Sequence, residues 1–246
     1  MMYYRGHELF IAKMNDLISQ SERWNMPVET DFLTLTEQSI VKDLVGSKLE
    51  LTFFGGYEKA ERKAAFFSPF EWEDKAHVSV LKADYDDRFG KKLSHKDLLG
   101  SLMHLGIERD QLGDLIVKED RLFVFCVHSM AEYICTNLTQ IGRHPVSFHI
   151  SRPDDDLNME REVVTINVAG TRLDAVVSAL AHCSRAKAKM MIKQGFVKVN
   201  DIVLDENIQL CNNDFVSIRR TGRFRLLETS GRTRKDRLML RFEKYI

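Results

Sequence analysis

Apolar residues near the start of the chain recur three and four apart. From His7 to Gln20, Leu9, Phe10, Ala12, Met14, Leu17 and Ile18 line one side of a helix. Thr36 to Val45 repeats the period, with Thr36 in the N-cap position and Gly46 as the stop. Pro27 places a loop between the two. Lys48 to Phe54 reads as a strand and Gly55-Gly56 as a turn. Tyr57 to Ala65 then reads as a third helix, with Glu58 and Arg62 at a supporting i,i+4 spacing. Residues 1–75 are therefore expected to be mixed and mainly helical.

Farther on, alternation and helical spacing take turns. Ala76 to Asp84 is a strand, with Val78 and Val80 on one face. Ser94 caps a helix that runs to His104. Gln111 to Val117 and Arg121 to Val127 are strands joined at Glu119-Asp120, Ser129 to Thr139 is a helix, and His144 to Ile150 is a last strand. This βαββαβ order over residues 76–151 is that of a ferredoxin-like or RNA-recognition-like sandwich, with helices on one face of an antiparallel sheet. Ser151 to Met159 contains Pro153 and the adjacent carboxylates Asp154, Asp155 and Asp156. It reads as a self-repelling linker rather than a metal site.

The C-terminal module, residues 161–246, opens on a strand from Glu162 to Val168. Arg172-Leu173-Asp174 starts a helix that reaches Ala181, its inner face made by Leu173, Val176, Val177 and Leu180. Ser184 caps a second helix, Arg185 to Gln194, which Gly195 ends. In that helix Ala188, Met191 and Ile192 point inward. Phe196 to Asn200 is a strand and Asn200-Asp201 a turn. Leu204 to Leu210 crosses back, Asn212 to Asp214 turns, and Phe215 to Arg219 is a strand. Arg223 to Glu228 follows the Thr221-Gly222 turn, and a last hairpin runs through Ser230-Gly231 and Arg237 to Phe242. The expected fold class is α+β.

Charge changes this picture more than composition does. The 246 residues carry no net charge, yet residues 171–246 hold 16 Lys+Arg against 8 Asp+Glu, and the rest of the chain balances that surplus. Such asymmetry points to a polyanionic partner for the C-terminal module; the alternative is a solvated charged surface. The apolar share of 44% and charged share of 29% are ordinary for a globular protein. No run approaches the roughly 18 apolar residues of a membrane helix, so no membrane partner is expected. Met1 to Phe10 lacks the apolar core of a secretory signal. Cys126, Cys135, Cys183 and Cys211 form no CxxC pair, which argues against a zinc knuckle or a disulfide framework and for a reducing cytoplasm. The histidines show no metal spacing, no GxGxxG loop follows a strand, and Gly55-Gly56 lacks the Lys-Ser/Thr of a P-loop. Neither a cofactor nor a catalytic centre is expected.

Candidate chemistry concentrates on the helix that Ser184 caps. Its first amides and Arg185 can hold a phosphate, while Lys187, Lys189 and Lys193 follow the backbone beside it. Reversing Arg185 and Lys189 to Glu is expected to abolish RNA association without unfolding the chain. Arg172 either contacts RNA or pairs with Asp174 or Asp214, and Asp174 reads as structural. Lys198, Asn200, Arg219, Arg220, Arg223 and Arg225 extend the candidate RNA face. Arg232, Arg234, Lys235 and Arg237 make a basic hairpin tip, either an RNA-grasping loop or a solvated turn. Phe123 and Phe125 alternate as base-stacking aromatics do. Leu122, Val124 and Cys126 between and beside them favour a strand buried on both faces.

Arg172-Leu173-Asp174, Ser184-Arg185, Ile192, Gly195, Val197, Val199 and Asn200, at this spacing, resemble the S-four RNA-binding domain first seen in ribosomal small-subunit protein four. That family usually has Gly after the Asn and Gly-Asp before the next strand. Here Asp201 and Asn213-Asp214 stand there, and Asn and Asp tolerate the same left-handed turns. Across nearly the whole chain, Phe54-Gly55-Gly56-Tyr57, Ala60-Glu61-Arg62, Leu99-Gly100-Ser101-Leu102, Gly106-Ile107, Leu112-Gly113-Asp114, Ile141-Gly142-Arg143, Thr221-Gly222-Arg223-Phe224 and Thr233-Arg234-Lys235 resemble the YlmH-type proteins. The resemblance implies a cytoplasmic bacterial protein associated with the large ribosomal subunit. It implies ribosomal RNA as partner, peptidyl-tRNA nearby, and a part in rescue or quality control of stalled ribosomes. The expected function is that of a non-catalytic, monomeric RNA-binding factor. The alternatives are an RNA-modifying enzyme targeted by the C-terminal module and a protein-interaction adaptor linked to cell division.

Overall fold

Helix α1 (Glu8–Trp24) runs a turn beyond its expected end and stops where Asn25 adopts a left-handed φ of 50°. Helix α2 (Leu35–Val45) is capped by Thr34, not Thr36. The Thr34 hydroxyl accepts from the Glu37 N–H, and the Glu37 carboxylate accepts from the Thr34 N–H at 2.7 Å. This reciprocal pair satisfies two otherwise orphaned donors, and Thr36 is buried inside the first turn. These coordinates are a computed structural model that describes residues 6–71, 77–86, 88, 90–152, 157, 162–204 and 207–245. Ala76, where the first central strand was expected to start, and Pro153 to Asp156 of the expected linker lie outside the described residues.

The chain forms two units, residues 1–158 and 159–246. In the first, β1 (Val28–Leu33), β2 (Glu50–Phe54) and β3 (Lys63–Ser68) form an antiparallel sheet in the order β1-β3-β2. The stretch after Pro27 is thus a strand, where a loop was expected. Its polar Glu-Thr-Asp core hid it, because Thr30 is buried for a reason no local pattern shows: its hydroxyl accepts from the Ala65 N–H across the sheet. The helix expected over Tyr57 to Ala65 is also absent. The chain turns through Arg62 and enters β3.

The central elements are β4 (Val78–Asp84), α3 (His95–His104), β5 (Leu112–Val117), β6 (Arg121–Val127), α4 (His128–Asn137), the short pair β7 (Gln140–Ile141) and β8 (His144–Pro145), and β9 (His149–Ser151). The last expected strand is therefore split, and β7 pairs with β8 in a hairpin of its own. The main sheet has the order β5-β6-β4-β9, and every pairing in it is antiparallel. One face packs on α3 and α4: Leu81, Leu122, Val124 and Cys126 meet Leu98, Leu102, Ala131 and Ile134. The other face packs on the small sheet, with Val80, Phe123 and Phe125 against Phe32, Ala64 and Phe66. Beyond the small sheet, Leu33, Ala65 and Phe67 pack on Met14, Ile18, Val41 and Val45 of the first two helices. β6 is accordingly buried on both faces. Phe123 and Phe125 are wholly inaccessible, so they stack on protein and not on bases.

The second unit begins with β10 (Glu162–Val168), followed by α5 (Leu173–Leu180), α6 (Arg185–Lys193), β11 (Val197–Val199), β12 (Ile202–Val203), β13 (Phe215–Ile218), β14 (Gly222–Arg232) and β15 (Leu238–Tyr245). The strands form one antiparallel sheet, β10-β15-β14-β13-β11-β12. Val176, Val177, Leu180, Ala188 and Ile192 of the helices cover Val197, Val216, Leu226 and Phe242 on one sheet face. The left-handed turns fall where expected: Gly195 has φ 71°, Asn200 50°, Asp201 65° and Asn213 72°. A strand from Arg223 to Glu228 and then a separate last hairpin through Ser230-Gly231 are expected at the end. β14 instead runs on through two bulges, at Leu226/Glu228 and Thr229/Gly231, and pairs with β15 along its length.

Candidate nucleic-acid interface

α6 starts because Ser184, in extended conformation, turns its hydroxyl back to accept from the Lys187 N–H at 3.2 Å. With Ala188 and Ile192 buried, a rotation of about 100° per residue places Arg185, Lys189 and Lys193 in one stripe along the helix. Lys187 lies roughly 160° round from Lys189. The cations expected to run together therefore flank the exposed Ala186 and Met190 on two sides.

The stripe is anchored on a buried carboxylate. Asp174, 0% exposed, accepts from Arg185 Nη2 at 2.9 and 2.8 Å. Arg172 Nε lies 3.4 Å away and Lys189 Nζ 4.0 Å away. The Asp174 N–H donates to Asn207 Oδ1. Burial opposes the charged form of Asp174. The hydrogen bonds from Arg185 and Asn207, with the charges of Arg185 and Arg172, outweigh it and hold the carboxyl below its ordinary value. One carboxylate thus gathers three cations that remain 52%, 52% and 61% exposed for Arg172, Arg185 and Lys189. The cluster keeps a net positive charge facing solvent.

The buried carboxylate limits which substitutions the fold tolerates on this face. Arg185→Glu would set a second carboxylate against buried Asp174, so the reversal of Arg185 and Lys189 cannot leave the fold untouched. It also makes the second unit acid-sensitive. A carboxyl held low in the folded state adds stability above its unfolded pKa of about 3.9, and that stability is lost as pH falls through the folded value. Hydrogen exchange on the full chain should show α5 and α6 opening more readily as pH drops below about 4. Asp174→Asn should already be destabilised at neutral pH, by about 1–3 kcal/mol, and lose this acid step. An unchanged acid step in the variant would exclude Asp174 as its source.

The remaining expected residues divide between surface and framework. Lys198 is exposed in β11, opposite Val203 and Ser217. Arg219 stacks over the Phe196 ring at 4.9 Å, and Arg220 sits exposed in the next turn with φ 66°. Arg223 is mostly covered, 22% exposed: it pairs with Asp201 at 3.1 Å and lies 5.0 Å over Phe215. Arg225 donates to Asn213 Oδ1 and lies over the same ring. Asn200 builds the turn, since its Nδ2 donates to Asp214 Oδ1 and its Oδ1 accepts from the Phe215 N–H, both at 2.9 Å. The structure therefore brings Arg172, Arg185, Lys189 and Lys193 together with the Ser184 cap. It sets Arg223, Arg225 and Asn200 to holding the β13 end of the sheet. Asn207 and Met190 were not singled out from sequence. The 100° rotation was a sufficient signal for Met190; nothing local marked Asn207.

In the first unit the motif residues of the sequence meet around Asp114, a buried carboxylate. It accepts from the Tyr57 hydroxyl at 2.8 Å and from the N–H groups of Glu61 and Arg62 at 2.7 and 3.0 Å. Arg62 donates to the carbonyls of Phe32 and Leu112. A Cβ on Gly56 would lie 2.3 Å from the Phe125 ring, and one on Gly113 would lie 2.6 Å from Phe32. Gly55-Gly56 is thus a packing device. Burial, then the neighbouring Arg62 charge, pulls Arg109 down to about 10. Burial, then Cys135, pushes the Cys126 thiol up to about 12, which leaves it inert, and His128 Nδ1 faces Ser79 Oγ at 2.9 Å instead. Among the described residues no group of three His, Cys, Asp or Glu side chains is placed to hold a metal ion. An open groove of about 590 Å³ lies between α3 and the segment after α4, lined by Lys96, Ser101, His104, Asn137 and Gln140.

Residues 71–153 match the domain described as the putative RNA-binding domain in YlmH, and residues 171–216 match the S4 domain. These matches and the capped, cation-bearing helix define an RNA-binding protein with a C-terminal S4 domain. The ribosome-associated protein quality control protein P2 of Bacillus subtilis (strain 168) is 34% identical over 244 residues, covering 92% of this chain and 93% of that protein. The chain belongs to that protein's family, the YlmH-type proteins. The solved cell division protein ylmH from Streptococcus pneumoniae shares the fold, with a TM-score of 0.55 and 24% identity over 62% of this chain and 94% of that one.

Proposed function

We propose that this protein is a non-catalytic factor that binds structured ribosomal RNA of the large subunit through Arg172, at the start of α5, and the exposed face of α6. In this reading it acts in quality control of stalled ribosomes, with peptidyl-tRNA as a second RNA partner. The observation that carries the reading is the cluster of Arg172, Arg185 and Lys189 around buried Asp174, continued by Lys193. It is a rigid cationic surface inside the segment that matches the S4 domain. Buried Asp174 fixes where the guanidinium groups stand before RNA arrives, so little side-chain entropy remains to be lost on binding. A short helix and its flanking turns suit the shape and phosphates of folded RNA, whose deep major groove side chains cannot read. The name of the Bacillus subtilis relative supports the ribosomal setting.

Sedimentation of cell extract on sucrose gradients tests the proposal. Co-migration with large subunits at low salt, lost as salt rises, is the expected result, because phosphate contacts release counterions. Migration with free protein at every salt concentration would refute it.

A further inference from the structure

The turn between β14 and β15 lies outside the segment that matches the S4 domain. The last row of the sheet joins Val168, Leu238 and Arg232, and residues 233–237 project past it. The turn is firmly built. The Thr233 N–H donates to the Arg237 carbonyl at 2.8 Å and the Asp236 N–H to the Thr233 carbonyl at 2.9 Å. The Thr233 hydroxyl accepts from the Arg237 N–H at 3.1 Å. Asp236 takes the left-handed position, φ 56°, and pairs with Arg232 at 2.7 Å. That pair uses the only carboxylate of residues 232–237. Arg234 and Lys235 occupy the two central positions, both exposed, and the exposed Arg237 follows them. Among the described residues none of these three has a carboxylate partner.

Two adjacent like charges at the apex of an ordered turn repel each other, and among the described residues the nearest carboxylate, Asp236, is already paired with Arg232. An external polyanion would offset them. The location is consistent with this. Val168 pairs with Leu238 at the base of the turn, and Arg172 comes four positions after it. At no more than about 3.6 Å per residue, Arg172 lies within roughly 20 Å of that base. An RNA helix presents phosphates throughout such a span.

We infer that the β14–β15 turn is a second, separate RNA contact, in which Arg234 and Lys235 grip the phosphate backbone of the same folded RNA that α6 meets. The inference rests on the RNA-binding reading proposed above and adds a contact that the α6 face does not contain.

The test uses the full chain, purified large ribosomal subunits and the protein-free RNA of that subunit. The Arg234→Ala/Lys235→Ala variant should keep the wild-type thermal midpoint, because neither side chain is packed. On both probes its log–log salt slope should be shallower by about 1.4–1.8, the value for two lost phosphate contacts. An unchanged slope on both probes would make the tip a solvated turn. A loss on subunits but none on protein-free RNA would assign it to a ribosomal protein, which also overturns the inference. A Lys187→Glu/Lys193→Glu variant run in parallel separates the two claims. If it binds undiminished while the tip variant weakens, the α6 face fails and the tip stands. If it loses binding while the tip variant matches wild type, the reverse holds.

Discussion

Lys187→Glu/Lys193→Glu is expected to weaken binding to large ribosomal subunits by about 100-fold or more at moderate salt, with the fold unchanged. Two charge-assisted contacts at about 1.5 kcal/mol each come to roughly 3 kcal/mol, a factor of about 100, before the repulsion of two new carboxylates is added. These two lysines are exposed and, unlike Arg185 and Lys189, take no part in the ion pairs around Asp174. Their loss therefore removes contacts without stranding a buried charge. Titrations at several salt concentrations check this. The log–log slope should become shallower by about 1.4–1.8, and the thermal midpoint should hold. Affinity within a factor of two of wild type would place the RNA elsewhere.

A second large effect concerns stability and leaves RNA chemistry aside. Asp114→Ala removes the common acceptor of the Tyr57 hydroxyl and the Glu61 and Arg62 N–H groups. Each buried donor left unsatisfied costs about 1–3 kcal/mol, so a loss of roughly 3–5 kcal/mol is expected for the first unit. The turn from Tyr57 to Arg62 should lose its hydrogen-exchange protection, and β3 should fray with it. Residues 162–245 should keep theirs, since Asp114 belongs to the other unit. Asp114→Asn keeps one acceptor oxygen and should recover part of the loss. A drop below about 1 kcal/mol would mean that water replaces the carboxylate and that the motif is not a lock.

Asp114 also shows where sequence reading reaches its limit. The order of elements from β4 to α4 was legible because alternation and helical period survive errors at element ends. So was the burial of β6, whose Phe123 and Phe125 are interleaved with apolar neighbours. Tyr57 to Ala65 was misread because helical spacing is a local signal, whereas its backbone is claimed by a carboxylate more than fifty residues away. β1 was missed for the same reason: a Glu-Thr-Asp run is strand only because Thr30 is bonded across the sheet. At the interface, residue types and the Ser184 cap were readable in full. The dual role of Arg185 was not, since no spacing rule shows that α6 leans its first guanidinium on a carboxylate from α5. The spread of Lys187 away from Lys189 was available from helix geometry alone.

Ultraviolet crosslinking of the full chain to large ribosomal subunits, with the crosslinked peptides read by mass spectrometry, tests the central claim most directly. RNA adducts are expected on the segment from Arg185 to Lys193 and on that around Arg172. Adducts confined to residues 1–158, with none on α5 or α6, would contradict it.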